Sequence, residues 1–240
     1  RYESLATLHE ATKLPKSTLV RLLTVLEANQ YIKRVNDVPS FRLSYAVLDL
    51  ADAYYRNSNI RDISLPYLRE LTNKLQQTSG LGMLEKGKVA LLSSREPDRQ
   101  LKYSSKIGSS CPSHCTGLGK MLLGGMDDGT AFKTLMTSAP FKKHTRLTMT
   151  APEEIMADVA RSKIRGYSIS CEEEAVGVCS ISAPIRLDTT DLNWKAAISI
   201  SGPVGEMMTK QKDIIISELQ DTAKAMYFDP DLNAAIKQFY

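Results

Sequence analysis

Apolar residues recur at helical spacing near the start of the chain: Leu5, Leu8 and Ala11 first, then Leu19, Leu22, Leu23 and Leu26. Between the two sets stands Leu14-Pro15-Lys16-Ser17-Thr18, which predicts a break and a restart. Proline is tolerated in the first turn of a helix, and serine can cap one. The second helix turns its leucines inward and leaves Lys16, Ser17, Thr18 and Arg21 outside. Tyr31-Ile32-Lys33-Arg34-Val35 and Phe41-Arg42-Leu43 then flank Asn36-Asp37-Val38-Pro39-Ser40, the pattern of a hairpin with Lys33, Arg34 and Arg42 near its base. Leucine at this spacing alone also describes a plain core. The hairpin following at the right distance makes the set a winged helix-turn-helix, whose second helix suits a major groove. Lys16, Ser17, Thr18 and Arg21 are therefore candidate contacts to double-stranded DNA, and Arg34 and Arg42 candidate contacts to its backbone.

Beyond the hairpin, Ser44 to Asn57 and Ile60 to Gln77 read as helices that join two domains. The tyrosines and leucines of the first suit either a dimer seam or packing on its own domain. From Thr78 the pattern changes to strands and helices. Lys86-Gly87 marks a hairpin turn between two strands, and Lys102 to Ile107 reads as a further strand. Helices follow at Cys115 to Gly125, Asp128 to Met136 and Pro152 to Arg165, the last with Thr150 as its cap and Gly166 as its stop. Strands at Tyr167 to Cys171, Gly177 to Arg186 and Trp194 to Ser201 precede a helix from Glu206 to Met226. This is an α+β arrangement with helices flanking one sheet. It predicts a DNA-binding domain over residues 1–44, linker helices over 45–77 and an effector and oligomerisation domain over 78–240. The DNA-binding part is expected to be truncated, since a winged helix usually has one more helix at its start.

Charge sharpens this division. The 240 residues carry a net charge of +4. Residues 1–45 hold seven basic and four acidic side chains, and the remaining residues 24 basic and 23 acidic. The excess sits where a phosphate-binding surface is expected. No apolar run approaches the ~20 residues that span a bilayer and no secretion signal is apparent, so a cytoplasmic protein is expected. The cysteines, Cys111, Cys115, Cys171 and Cys179, fit reduced thiols better than disulfides, and their spacing matches no common zinc finger or ribbon. No metal and no cofactor are expected. Nor is an enzyme: there is no Walker loop, dinucleotide fingerprint or His-Glu-x-x-His motif, and Cys115 beside His114 has no visible third partner.

Several segments together resemble the IclR family of bacterial transcriptional regulators. They are Leu14-Pro15-Lys16-Ser17-Thr18 with Arg21-Leu22-Leu23, Gly108 with Cys111-Pro112-Ser113-His114-Cys115-Thr116, Gly119-Lys120, His144-Thr145, Gly166-Tyr167, Glu173-Glu174-Ala175-Val176-Gly177-Val178, Ala183-Pro184-Ile185 and Ile198-Ser199-Ile200-Ser201-Gly202-Pro203. The resemblance runs from about residue 5 to 226 and implies a GAF-like effector domain. It also implies homodimers or homotetramers on operator DNA and control, usually repression, by a small keto, sugar or aromatic acid. Thr116-Gly117-Leu118 and Met121 depart from the family's alanines, and residues 229–240 extend past its usual end.

An organic acid is well held by backbone N–H groups at a helix start. In the family the turn at His114, Cys115, Thr116 and Gly117 faces the cavity, although Ser113 to Gly117 also suits an ordinary capped helix start. Ser199 and Ser201, two apart on a strand, share a face. By resemblance Ser170 and Ser180 line the same cavity. Glu172, Glu173 and Glu174 read as a solvated edge, with Glu173 a structural loop residue. The alternatives to an acid-responsive regulator are a winged-helix protein adaptor and a metal- or thiol-responsive regulator.

Overall fold

A computed structural model describes residues 3–35, 40–50, 53, 59–100, 102–104, 107, 110–186 and 193–238. The chain divides into two compact units, residues 1–58 and 59–240.

In the first unit, β1 (Glu3–Ser4) leads into α1 (Leu5–Thr12), whose cap is the Ser4 hydroxyl accepting from the Thr7 N–H. Lys13 ends α1 in the left-handed region at φ 59°, and α2 (Lys16–Ala28) begins after Pro15. Strands β2 (Ile32–Val35) and β3 (Ser40–Leu43) pair antiparallel, and β1 adds to the outer side of β3. Two helices and an antiparallel strand pair therefore stand where the helix-turn-helix and hairpin are expected, while residues 36–39 lie outside the described residues. Two expectations are corrected. Ser17 does not cap α2, because the helix begins one residue earlier and Pro15, at the cap, has no side-chain acceptor. Leu22 and Leu26 are 47% and 40% exposed, so only Leu19 and Leu23 of the four leucines are buried. The reason is the size of the core, where Leu23, Ile32 and Phe41 meet with Leu5 and Leu8 packed against them. A stripe that narrow covers two leucines of α2. Residues 46–50 are helical, and most of the rest of the helix expected to Asn57 lies outside the described residues.

The second unit is built on a six-stranded antiparallel sheet ordered β6-β5-β4-β9-β8-β7. Its elements are α3 (Ile60–Leu75), β4 (Thr78–Glu85), β5 (Lys88–Arg95), β6 (Ser110–Pro112), α4 (Gly117–Gly124), α5 (Asp128–Met136), α6 (Pro152–Arg165), β7 (Ser168–Cys171), β8 (Val178–Pro184), β9 (Ala196–Pro203), α7 (Val204–Met207), α8 (Lys212–Tyr227) and α9 (Pro230–Lys237). Lys86 and Gly87, at φ 48° and 77°, make the tight β4–β5 turn that twisted hairpins favour. Alternation along the strands separates two faces. Leu81, Met83, Ile181, Ile198 and Ile200 pack with Leu68 and Leu71 of α3 and Ile215, Leu219 and Met226 of α8. The other face meets α4 and α6 through Val89, Leu91, Leu118, Met121, Ile155 and Val159. The boundary between the units falls inside the 45–77 stretch expected to link the domains, and α3 belongs to the sheet's core rather than to a connector.

Three local expectations change. No strand runs through residues 102–104, and the edge position beside β5 is taken by β6. Thr150 does not cap α6, because Ala151 holds the cap position and has no acceptor, although Gly166 ends the helix in the left-handed region as expected. The helix expected from Glu206 to Met226 is two helices, α7 and α8, separated at residues 208–211. Residues 230–237 form α9, which seats Leu232, Ala235 and Ile236 in the main core.

Candidate functional site

The α4 face of the sheet is hydroxyl-rich because of its register. Ser168, Ser182 and Ser199 stand opposite one another across β7, β8 and β9, and so do Ser170, Ser180 and Ser201. Gly80 lies opposite Ser199 on β4, where a Cβ would stand 3.0 Å from Leu91 and 3.5 Å from the Ser199 hydroxyl. The result is a cavity of about 250 Å3 lined by Ser180, Ser199, Ser201, Thr116 and Glu174, with Tyr103, Ser104 and Cys111 beside them. Val89, Leu91, Leu118 and Val178 supply apolar wall. Apolar walls with a few convergent polar groups are the usual make-up of a small-molecule site. A more voluminous depression is lined by α3 residues such as Asp62, Arg69 and Lys74, but it is an open surface.

Of the expected effector contacts, Thr116, Ser180, Ser199 and Ser201 line this cavity and His114, Cys115, Gly117 and Ser170 do not. Ser170 donates to the Cys115 carbonyl at 2.7 Å, and Ser168 donates to the Gly117 carbonyl at 2.6 Å. These β7 serines fasten the entry of α4 to the sheet. Gly117 itself presses on β8, since a Cβ there would stand 2.7 Å from the Ser182 hydroxyl. Thr116 is the cap of α4: its hydroxyl accepts from the Gly119 N–H at 3.2 Å and donates to the Pro112 carbonyl at 2.6 Å. For Ser180, Ser199 and Ser201, no hydrogen bond to a side chain or backbone occupies the hydroxyl among the described residues.

His114 and Cys115 are buried, and His144 is exposed. Burial holds the His114 imidazole below its ordinary pKa, and neighbouring His144 and Lys120 push the same way. Burial drives the Cys115 thiol up to about 12. It is therefore no activated nucleophile.

The Glu172–Glu174 run is not a solvated edge. Glu172 accepts from the Gly177 N–H at 2.8 Å and closes the loop. Glu173 is buried and hydrogen-bonded to Lys120, whose side chain has no solvent exposure and also meets Asp158 at 2.8 Å. Arg161 adds a contact to Asp158 at 3.2 Å. One ammonium thus ties α4, α6 and the β7–β8 loop together. Burial raises the Glu173 carboxyl against the pull of Lys120. Burial also acts upward on Asp158, but the Lys120 hydrogen bond and charge, with Arg161, hold that carboxyl below its ordinary range. Glu174 faces the cavity; burial raises its pKa, opposed by the hydrogen bond from Tyr103 at 3.4 Å and by His144. Lys120 in an otherwise apolar helix was the one sequence signal for a buried charge partner. Val178, two residues before Ser180, could have been placed in the wall by alternation.

In the first unit Lys16, Ser17, Thr18, Arg21, Arg34 and Arg42 are all exposed. The hairpin register sets Arg42 opposite Lys33 and Arg34 opposite Phe41, so Arg34 and Arg42 occupy opposite faces. Arg34 covers the Phe41 ring at 5.4 Å and lies 3.8 Å from Glu27. Lys33, not counted among the candidates, shares the Arg42 face.

The family described as "Bacterial transcriptional regulator IclR C-terminal" matches residues 52–227. The HTH-type transcriptional repressor AllR of Salmonella typhi is 26% identical over 88% of this chain and 76% of its own length. The transcriptional repressor IclR of Escherichia coli K12 is 26% identical over 85% and 74%. An IclR-type regulator of Silicibacter sp. superposes with a TM-score of 0.80 at 24% identity, over 96% of this chain and 92% of its own. An IclR homologue of Microbacterium hydrocarbonoxydans complexed with 4-hydroxybenzoate superposes with a TM-score of 0.72 at 20% identity, over 97% and 92%. No helix among the described residues is long and apolar enough to cross a membrane. Matched segment and fold agree: the chain belongs to the IclR family of bacterial transcriptional regulators.

Proposed function

We propose that this chain is a cytoplasmic, homo-oligomeric repressor that binds operator DNA through its first unit and a small organic acid through its second. The observation that carries the reading is the cavity, where the Ser180, Ser199 and Ser201 hydroxyls converge with no internal partner among the described residues. Hydroxyl donors suit a carboxylate, and a volume near 250 Å3 suits an acid of few heavy atoms. The 4-hydroxybenzoate held by one structural relative belongs to this class of molecule. Thr116 and the start of α4 border the same space, so an acid seated there bears on the element that Lys120 couples to α6 and the β7–β8 loop. Such a ligand shifts the regulator between states only by binding one of them better.

On the DNA side, α2 supports the reading twice. Its cap position is Pro15, so its first N–H groups have no side-chain acceptor and stay available to a phosphate. Lys16, Ser17, Thr18 and Arg21 are exposed around that end. Arg42, with Lys33 beside it, is the stronger backbone contact on the hairpin. Arg34 has a weaker claim because Phe41 and Glu27 engage it.

Duplexes selected by the full chain from a random pool provide the test. Affinity should fall steeply with salt, and Arg21→Ala should weaken binding and flatten the salt slope by about one charge. A protein adaptor would select no duplex, and unchanged affinity in Arg21→Ala would refute this docking of α2.

A further inference from the structure

We propose that His114, Cys115 and His144 form a binding site for a divalent transition-metal ion of borderline softness, zinc being the representative, separate from the organic-acid cavity. One imidazole nitrogen from each histidine and the cysteine Sγ all lie within 4.8 Å of one another, the one such group among the described residues. None of the three side chains belongs to the lining of the cavity. Sequence neighbours seldom converge on one point. Here they do because Thr116 starts the helix one residue later, and the 141–148 segment brings His144 across to meet them.

The second observation is the state of His114. His114 is 3% exposed, and its Nε2 lies 3.1 Å from the Lys142 carbonyl. A carbonyl only accepts, so Nε2 carries the proton and Nδ1 of the neutral ring keeps its lone pair. That Nδ1 is buried and has no partner. A buried acceptor without a donor is costly, and a histidine whose other nitrogen donates to a backbone carbonyl is the arrangement that orients metal-binding imidazoles. The Phe141 ring, 5.2 Å from that of His114, packs beside it.

The donor set selects the class of ion. Two imidazoles and a thiolate disfavour magnesium and calcium and suit zinc, cobalt or copper. On coordination the Cys115 thiol releases its proton to solvent as the metal–sulfur bond forms, and no electron changes hands. Tetrahedral zinc holds its ligand atoms about 3.5 Å apart, so the group must contract by roughly 1 Å. His144 can supply this movement: its side chain is exposed, while its backbone N–H is fixed to Thr148 at 3.0 Å. Three protein ligands leave the fourth position open.

Cobalt(II) added to the 240-residue chain, stripped with a chelator, tests the site. The expected result is one equivalent bound, with a thiolate-to-cobalt charge-transfer band and the visible bands of tetrahedral cobalt, all displaced by zinc. His144→Ala, an exposed change that leaves folding intact by circular dichroism, should weaken cobalt binding at least about tenfold. His114→Ala and Cys115→Ser should remove the band, whereas Cys111→Ser should keep it. Absence of the band in the unmodified chain, or an unchanged titration in His144→Ala, overturns the proposal.

Discussion

Serine does two jobs on one face of this sheet. Ser168 and Ser170 on the edge strand donate to carbonyls at the entry of α4, while Ser180, Ser199 and Ser201 on inner strands face the cavity. The period-two spacing of Ser199 and Ser201 was legible in the sequence. The division of labour was not, since it depends on which hydroxyls reach the carbonyls at the entry of α4. The charged residues were harder still: nothing local tells a solvated glutamate run from one that meets a lysine 53 positions away. Lys120→Met should cost about 3–5 kcal/mol in chemical denaturation, because it leaves the buried Glu173 carboxylate without its cation and Asp158 with Arg161 alone. Glu174 gives a pH signature. Its folded pKa is raised, so burying the charged form costs stability above that pKa, and the cost is relieved as pH falls through it. The same protonation removes repulsion toward an anionic ligand. Affinity for an organic acid should therefore rise as pH falls through the Glu174 range, and in Glu174→Gln calorimetric titrations should show that slope flattened.

Among the elements, α6 was legible nearly to the residue, because Pro152 opens it and Gly166 closes it in a backbone region that favours glycine. The break between α7 and α8 carried no such mark, since neither Gly nor Pro stands between Glu206 and Met226. Leu22 and Leu26 of α2 show a different limit: periodicity identifies an apolar stripe but not how much core exists to cover it. The α4 entry is tightly constrained. A Cβ on Gly119 would lie 2.3 Å from the Ser113 backbone, and backbone cannot rotate away as a side chain can. Gly119→Ala should accordingly destabilise the chain by about 1–3 kcal/mol in thermal or urea unfolding and loosen the cavity's Thr116 wall. Gly205→Ala, with open space around it, should fall within about 0.5 kcal/mol of the parent.

At the scale of the whole molecule, the basic excess of residues 1–45 and the near-neutral remainder map onto two compact units. Charge asymmetry and pattern made that division readable, while the place of α3 in the second core emerged only from its buried Ile60, Leu68 and Leu71. The family supplies the regulatory context, and the cavity supplies the proposed input. The direct test is a thermal-shift titration of the full chain with keto, sugar and aromatic acids, 4-hydroxybenzoate included, alongside the Ser199→Ala/Ser201→Ala double variant. An acid present at a hundred times its Kd should add about 2.7 kcal/mol of stability to the parent chain and much less to a double variant of unchanged basal stability. No stabilisation by any acid class, or equal stabilisation of parent and variant, would contradict an acid-binding role for this cavity.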